Sequence, residues 1–180
     1  MIENLASRMG DAKIDSDEWT DFSDVYTQFI RSLCFRATVT SVFGTSLFKV
    51  NPTFEDDFWF FDTHLPGLFK EMPKWLVPDA FKSRDTMKEH VKKWHRFANE
   101  HYDVANCAEE PREWEEYFGS RLVRTRQAFF TKMPISEDTI AADDLGLIWG
   151  FVTSILCCPF LATADIYTEQ PPTPFPPSVG

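Results

Sequence analysis

The most informative part of the sequence is FGTSLFKVNPTFEDDFWFFDTHLPGLFKEMPKWLVPDAFKSRD, residues 43–85. A first helix is predicted to end at Gly44. Asn51 then predicts the N-cap of a second helix, with Pro52 at its first position. Three acidic residues follow near the positive end of the helix dipole, namely Glu55, Asp56 and Asp57. After His64 we predict an apolar connector broken by prolines, Pro66, Pro73 and Pro78.

Helices are predicted on both sides of this run. Upstream, apolar residues recur at helical spacing from Phe22 to Val42. Downstream, Phe81 to Tyr102 is predicted as one helix with a solvated basic face and an apolar stripe of Met87, Val91, Trp94 and Ala98. An exposed loop from Asp103 to Arg112, a helix from about Glu113 to Lys132 and a last helix capped by Ser136 complete the prediction. No strand is predicted, so the fold class is all-α.

Charge and composition argue against several classes of protein. The 180 residues include 18 Lys and Arg against 28 Asp and Glu, a net charge of −10, which disfavours nucleic acid as a partner. Seven glycines against eighteen phenylalanines argue against a β-sandwich. The sequence contains no glycine-rich phosphate loop, GxSxG or HExxH motif. Four cysteines without a CxxC pair predict a reducing environment.

The candidate catalytic and metal-binding residues have simpler structural explanations. His90 and His95 lie about 140° apart around a helix, so they do not form an i,i+4 metal pair. Together with His101 they are predicted to be solvated or interfacial, and His64 is predicted to cap a helix end. The acidic trio is explained by the helix dipole. Cys157-Cys158-Pro159 is rejected as a haem ligand because its neighbours are large and apolar. No catalytic, cofactor-binding or metal-binding residue is assigned.

The C-terminal part contains an apolar stretch and a proline-rich tail. Leu145 to Ala164 runs twenty residues without a charge, about the length of a membrane span. A buried core helix is the preferred interpretation because the stretch contains Pro159 and lacks flanking Lys or Arg. The last twelve residues, EQPPTPFPPSVG, contain five prolines and are predicted to be extended or disordered. Their PxxP motifs are a weak signal for an SH3-like partner.

Several segments together resemble one family. Residues 43–85, Trp94-His95, FGSRLVRTRQ at 118–127 and AADDLGLIWG at 141–150 are similar to fungal cytochrome P450 proteins of the branch that resembles sterol 7-alpha-hydroxylases and prostacyclin synthase. The resemblance implies a partial P450 fold, helices D to I, over residues 1–150. Residues 19–43 correspond to helix E, residues 51–64 and the connector to the F region and F–G loop, and residues 81–102 to helix G. Residues 151–180 are predicted to be a divergent tail from a retained intron or shifted frame, which sequencing of the transcript tests.

The resemblance implies a function for the full-length protein. That protein is expected to be a haem-thiolate monooxygenase at the cytosolic face of the endoplasmic reticulum membrane. It is expected to hydroxylate a lipophilic, sterol-like or secondary-metabolite substrate with electrons from an NADPH-dependent reductase. Phe69, Trp75 and Leu76 of the connector are predicted either to form a lid over the substrate entrance and membrane surface or to pack into the core.

The expectation for this chain alone is different. The family's haem-ligating cysteine loop, ExxR pair, helix C basic residues and N-terminal anchor are not found in the sequence, and Thr153 and Ser154 are not assigned to its proton relay. We therefore expect no haem, no catalysis and a cytoplasmic location. The alternative function is a non-catalytic helical module that binds a lipophilic ligand or a protein partner. Helices without their other half are expected to aggregate or self-associate.

Overall fold

The computed structural model describes residues 31–104 and 112–169, with the side chains of the last helix described as far as Ile155. The chain divides into two units, Met1–Leu33 and Cys34–Gly180, and every contact reported below lies within the second. The elements confirm the all-α class. They are α1 (Ser32–Phe43), α2 (Ser46–Val50), α3 (Phe54–Phe69), α4 (Pro78–His101), β1 (Trp114–Glu115), β2 (Gly119–Ser120), α5 (Arg121–Phe130) and α6 (Glu137–Glu169).

Helix α4 organises the core, because α2, α3 and α6 all pack against it. The predicted stripe is confirmed, and its four members, Met87, Val91, Trp94 and Ala98, are fully buried. The polar atom of the buried Trp94 side chain also has a hydrogen-bond partner, because its indole N–H donates to the Tyr117 carbonyl at 2.7 Å. Burial of such a face, rather than helix propensity, supplies most of the stability of a helix in a folded protein.

Aromatic rings fill the space between α1 and α3. Phe35, Phe54 and Phe58 are all fully buried, and the Phe35 and Phe58 ring centroids lie 4.8 Å apart. Phe43, at the end of α1, meets Trp94 edge to face at 6.1 Å. Aromatic pairs in this distance range contribute about 0.5–1.5 kcal/mol beyond the burial of their area. The phenylalanine-rich composition is therefore used for a helical core.

Helix α3 differs from the prediction at both ends. It begins at Phe54, because Asn51 is buried and its amide donates to the carbonyls of Leu47 and His90 instead of capping the helix. It also continues to Phe69 with Pro66 inside it. A proline removes one backbone N–H donor from a helix but does not by itself end it. Helix α4 then begins at Pro78, three residues before the predicted start.

The predicted helix from Glu113 is wrong in its first part. A hairpin pairs Trp114 with Ser120 and Glu115 with Gly119, so the prediction of no strand is also wrong. Gly119 has φ of 70°, and a Cβ atom there would lie 2.4 Å from the backbone nitrogen of Gly44. Only glycine permits both this dihedral angle and this close approach. The hairpin is therefore fixed by its contact with the end of α1.

Helix α6 begins as predicted. The Ser136 hydroxyl accepts a hydrogen bond from the Thr139 N–H at 3.2 Å. The helix then runs without interruption past Gly150. Beyond that residue, Val152 is buried and Phe151 meets Phe43 edge to face at 6.2 Å.

The apolar stretch from Leu145 contributes to the core as far as its side chains are described, since Leu145 and Ile148 are buried. No helix among the described residues is both long and apolar enough to cross a membrane. Three predicted features lie wholly or mostly outside the described residues: the helix before residue 31, the loop at 105–111 and the proline-rich tail after residue 169.

Candidate functional site: an apolar cavity between three helices

A cavity of about 220 Å³ lies between α3, α4 and α6. Its walls are mostly apolar, and two cationic side chains of α4 complete them. The described lining residues are Phe61, Leu65, Leu68, Phe69, Arg84, Lys88, Ala142, Leu145, Gly146 and Trp149. Pockets for drug-sized ligands usually measure roughly 300–1,000 Å³, so this cavity accommodates only part of such a ligand.

Helical spacing and one glycine produce the cavity. Phe61 and Leu65 are four residues apart, so they lie on the same face of α3, and both are buried. On the facing helix, Gly146 has no side chain, and a Cβ atom built there would find no neighbouring atom within 4 Å. A side chain at residue 146 would therefore extend into open space beside the cavity wall.

Trp149 links the cavity wall on α6 to α3. Its indole N–H donates to Oδ1 of Asp62 at 2.8 Å, a contact between residues 87 positions apart. Its ring also meets the Phe69 ring, with centroids 5.8 Å apart. Trp149 thus fixes the distance between the two helices at one end of the cavity.

The cationic rim is tied to acidic residues. Lys88 donates to Oδ2 of Asp138 at 2.7 Å, and Lys92 contacts Oδ1 of the same carboxylate at 2.8 Å. Hydrogen bonds from these two lysines lower the pKa of Asp138 to about 2. The other rim cation, Arg84, pairs with Asp85 at 2.7 Å. The basic face of α4 is therefore solvated in part, as predicted, but held by specific ion pairs.

A larger depression of about 1,080 Å³ runs along the outer face of α4. Charged side chains such as Lys82, Glu89 and Lys93 form most of its lining, and it is widely open to solvent. Enclosure by apolar walls with a few polar groups is the usual property of a small-molecule site. The smaller cavity fits that description better.

The end of α3 and the connector that follows it expose three large apolar residues. Trp75 is 81% exposed, Phe69 is 68% exposed and Leu76 is 51% exposed. These side chains do not pack into the core, which was one of the two predicted alternatives. Phe69 is also the residue through which the connector reaches the cavity, because it contacts Trp149.

The predicted histidines do not come together. His90 is half-buried, with Nε2 at 2.8 Å from Asp57 Oδ2 and Nδ1 at 3.0 Å from Asn51 Oδ1. Both of its ring nitrogens therefore lie within hydrogen-bonding distance of side-chain oxygens of the neighbouring elements. His64 and His101 each donate from Nδ1 to the carbonyl four residues earlier, at 2.8 Å. His64 thus lies inside α3 and does not cap its end.

His95 belongs to a buried polar network. Its Nε2 lies 2.9 Å from Oδ2 of Asp144, which is fully buried. Gln127 donates to the same oxygen, and Arg126 donates from Nε to Oδ1 of Asp144 at 2.8 Å. Hydrogen bonds and an opposite charge offset the cost of burying a carboxylate. The network joins α4, α5 and α6, so His95 is interfacial, as predicted.

The acidic trio is dispersed. Glu55 pairs with Arg36 at 2.6 Å, Asp57 contacts His90, and Asp56 is exposed. Within the described residues no group of three or more His, Cys, Asp or Glu side chains is arranged to hold a metal ion. All three residues lie in the first turn of α3, where the sequence predicted a helix start.

The described residues do not fit the haem that the resemblance implies. Cys34 is the cysteine whose side chain is described, and it lies half-buried within α1. A haem-thiolate protein also needs a cavity large enough for the porphyrin, whereas the apolar cavity between α3, α4 and α6 measures about 220 Å³.

The sequence analysis missed most residues of the cavity. Asp62 and Trp149 were predicted only as parts of separate helices. One local feature of the sequence could have indicated the cavity: Gly146 lies among large apolar residues of α6. An interior glycine often marks a packing or binding requirement.

Comparison with known proteins agrees with the predicted resemblance at the family level. The chain is 37% identical over 134 residues to the cytochrome P450 monooxygenase fsoE of Humicola fuscoatra, covering 74% of this chain and 23% of that protein. It is 36% identical over 135 residues to the cytochrome P450 monooxygenase efuG of Hormonema carpetanum, covering 74% and 24%. No family model and no solved structure matches the chain. The chain thus spans about a quarter of these relatives, which support the cytochrome P450 family.

Proposed function

We propose that the chain is the helix D to helix I segment of a haem-thiolate monooxygenase and contributes walls and a lid to its lipophilic substrate pocket. The observation that carries this proposal is the apolar cavity between α3, α4 and α6. In the resemblance these helices correspond to the F, G and I regions. Because the cavity is small and the matched segment covers 23% of the first relative, it forms one part of a larger pocket.

The lid consists of the end of α3 and the connector that follows it. Exposure of Phe69, Trp75 and Leu76 supports this role, since three large apolar side chains in contact with water favour binding to an apolar ligand or surface. Phe69 transmits any movement of the lid to the cavity through its contact with Trp149. For the full-length protein we propose the cytosolic face of the endoplasmic reticulum membrane as the location.

The full-length activity follows from the family. We propose that the complete protein hydroxylates a sterol-like or secondary-metabolite substrate, in the branch that resembles sterol 7-alpha-hydroxylases and prostacyclin synthase. Electrons would come from an NADPH-dependent reductase. When bound, haem supplies the iron that activates dioxygen, and the residues described here would hold and orient the substrate and exclude water from it.

A second candidate function is a non-catalytic helical module that binds a lipophilic ligand. The self-contained core favours it, because Phe58, Val91 and Trp94 are fully buried by residues of this chain alone. A carbon-monoxide difference spectrum of the reduced chain, purified after supply of haem, tests the expectation that both candidates share, namely that the isolated chain holds no haem thiolate. We expect no thiolate-type Soret shift. Its appearance would refute the proposal that this segment supplies only walls and lid.

Binding to the cavity is tested with a neutral lipophilic dye such as Nile red. Gly146→Phe fills the cavity, whereas Gly150→Phe, on the same helix, serves as its control because residue 150 has open space around it but does not line the cavity. We expect the first variant to lose at least tenfold in dye affinity and the second to retain it. Equal affinity in both variants would show that the cavity is not the binding site.

A further inference from the structure

The two polar side chains at the cavity are cations from the same helix. Arg84 and Lys88 are four residues apart on α4, so their charged groups leave the helix on one side. No carboxylate is among the described residues that line the cavity. This local excess of positive charge contrasts with the net charge of −10 of the whole chain.

Both cations retain donors that their acidic neighbours do not use. Arg84 donates from Nε and Nη2 to Asp85 Oδ1 at 3.0 and 2.7 Å, which leaves Nη1. Lys88 uses one ammonium proton for Asp138 at 2.7 Å, and a lysine ammonium group carries three. The two side chains are 38% and 15% exposed, so water screens them only in part.

The acidic residues near the rim are not among the described residues that line the cavity. Asp138 is shared between Lys88 and Lys92, and Lys92 also pairs with Glu89 at 2.8 Å. Asp62, on the opposite helix, accepts a hydrogen bond from Trp149. Asp85 contacts Arg84 alone among the described cations. The charged groups in the described lining of the cavity are therefore the two cations, and these favour an anion over a neutral or cationic group.

We propose that the cavity binds the apolar part of a lipophilic carboxylic acid and that Arg84 and Lys88 hold its carboxylate. The proposal builds on the lipophilic pocket of the proposed function and adds the anionic group to the ligand. At about 30 Å³ for each water molecule, the cavity has room for about seven, which matches a short alkyl chain or one ring. Hydrogen bonds between a cation and a carboxylate are among the strongest available at such a site.

Isothermal titration of the complete 180-residue chain with octanoic acid and with 1-octanol at pH 7.5 tests the proposal. We expect the acid to bind about tenfold more tightly than the alcohol. The double variant R84Q/K88Q should reduce the affinity for the acid to that for the alcohol and leave the alcohol unchanged. Lys82→Gln is the matched control, because Lys82 is exposed on the same helix and outside this cavity.

The outcomes separate this proposal from the proposed function. Equal affinities of the unaltered chain for the acid and the alcohol would overturn the proposed preference for an anion. The proposal of a lipophilic pocket would remain supported. Binding of neither ligand would overturn both proposals. If Gly146→Phe still binds octanoic acid with unchanged affinity, the acid binds elsewhere and the assignment to Arg84 and Lys88 fails.

Discussion

The hydrogen bond between Trp149 and Asp62 should couple α6 to α3 by a measurable free energy. An indole N–H donates to a carboxylate at 2.8 Å, and hydrogen bonds to charged groups contribute about 1.5–3 kcal/mol to stability. Both residues are partly exposed, so we expect a value at or below the lower end of that range, about 1 kcal/mol. Trp149→Phe removes the donor and Asp62→Ala removes the acceptor.

A double-mutant cycle isolates this coupling from other effects of each change. Trp149→Phe also loses part of the ring contact with Phe69, so it should cost about 1.5–2 kcal/mol, against about 1 kcal/mol for Asp62→Ala. The double variant should lose about 1 kcal/mol less than the sum of the two. Urea unfolding followed by circular dichroism gives the free energies without relying on tryptophan fluorescence.

The control variant is Asp56→Ala, which removes a carboxylate from an exposed position of the same helix. It should change the free energy of unfolding by less than about 0.5 kcal/mol. A coupling below about 0.3 kcal/mol between Trp149 and Asp62 would refute the argument that this bond holds the cavity wall in place.

Four further outcomes are expected. Gly119→Ala should lower the free energy of unfolding in urea by at least about 2 kcal/mol, because both the positive φ of residue 119 and the nearby backbone of Gly44 disfavour a Cβ atom. A decrease no larger than that caused by Gly150→Ala would contradict this expectation. Asp144→Ala should cost about 3–5 kcal/mol, since it leaves the buried His95 and Gln127 without their partner, whereas Asp143→Ala should cost far less. The pKa of Asp138 is lowered in the folded chain, so its contribution to stability is present above about pH 4 and disappears as the pH falls towards 2. Asp138→Asn should therefore flatten the dependence of the free energy of unfolding on pH between these values. Identical pH profiles for the variant and the unaltered chain would exclude this contribution of Asp138. Trp75→Ser should reduce self-association of the chain in sedimentation velocity, and an unchanged distribution would show that the exposed connector is not responsible.

The features that the sequence predicted best are those that periodicity alone determines. The stripe of α4 repeats at helical spacing, and every residue from Met87 to Ala98 in that stripe is buried. Ser136 was recognised because N-capping is a local property of a side chain and the next turn. These predictions needed no knowledge of what the helix contacts.

Predictions failed where contacts between distant residues decide the local structure. Trp114, Tyr117 and Phe118 have helical spacing, yet Gly119 is held at positive φ by the approach of Gly44, 75 positions away, and a hairpin results. Asn51 has the chemistry of an N-cap but donates to the carbonyls of Leu47 and His90 instead. Propensity is a weak preference that tertiary packing overrides.

The cavity was not predictable for the same reason. Its walls come from residues 61–69, 84–88 and 142–149, and only the packing of three helices brings them together. The resemblance pointed to an apolar ligand, but neither the Asp62–Trp149 bond nor the two cations at the rim follows from it. Residue 146 was the single position where the sequence alone carried a hint.

Pro66 gives α3 a built-in point of bending. Because proline has no N–H, the carbonyl of Asp62 receives no helical bond from it, and the last turn is attached to the rest of the helix more weakly than the others. That turn carries Leu68 and Phe69. Leu68 and Phe69 therefore form the part of the cavity wall that is least firmly tied to the rest of α3.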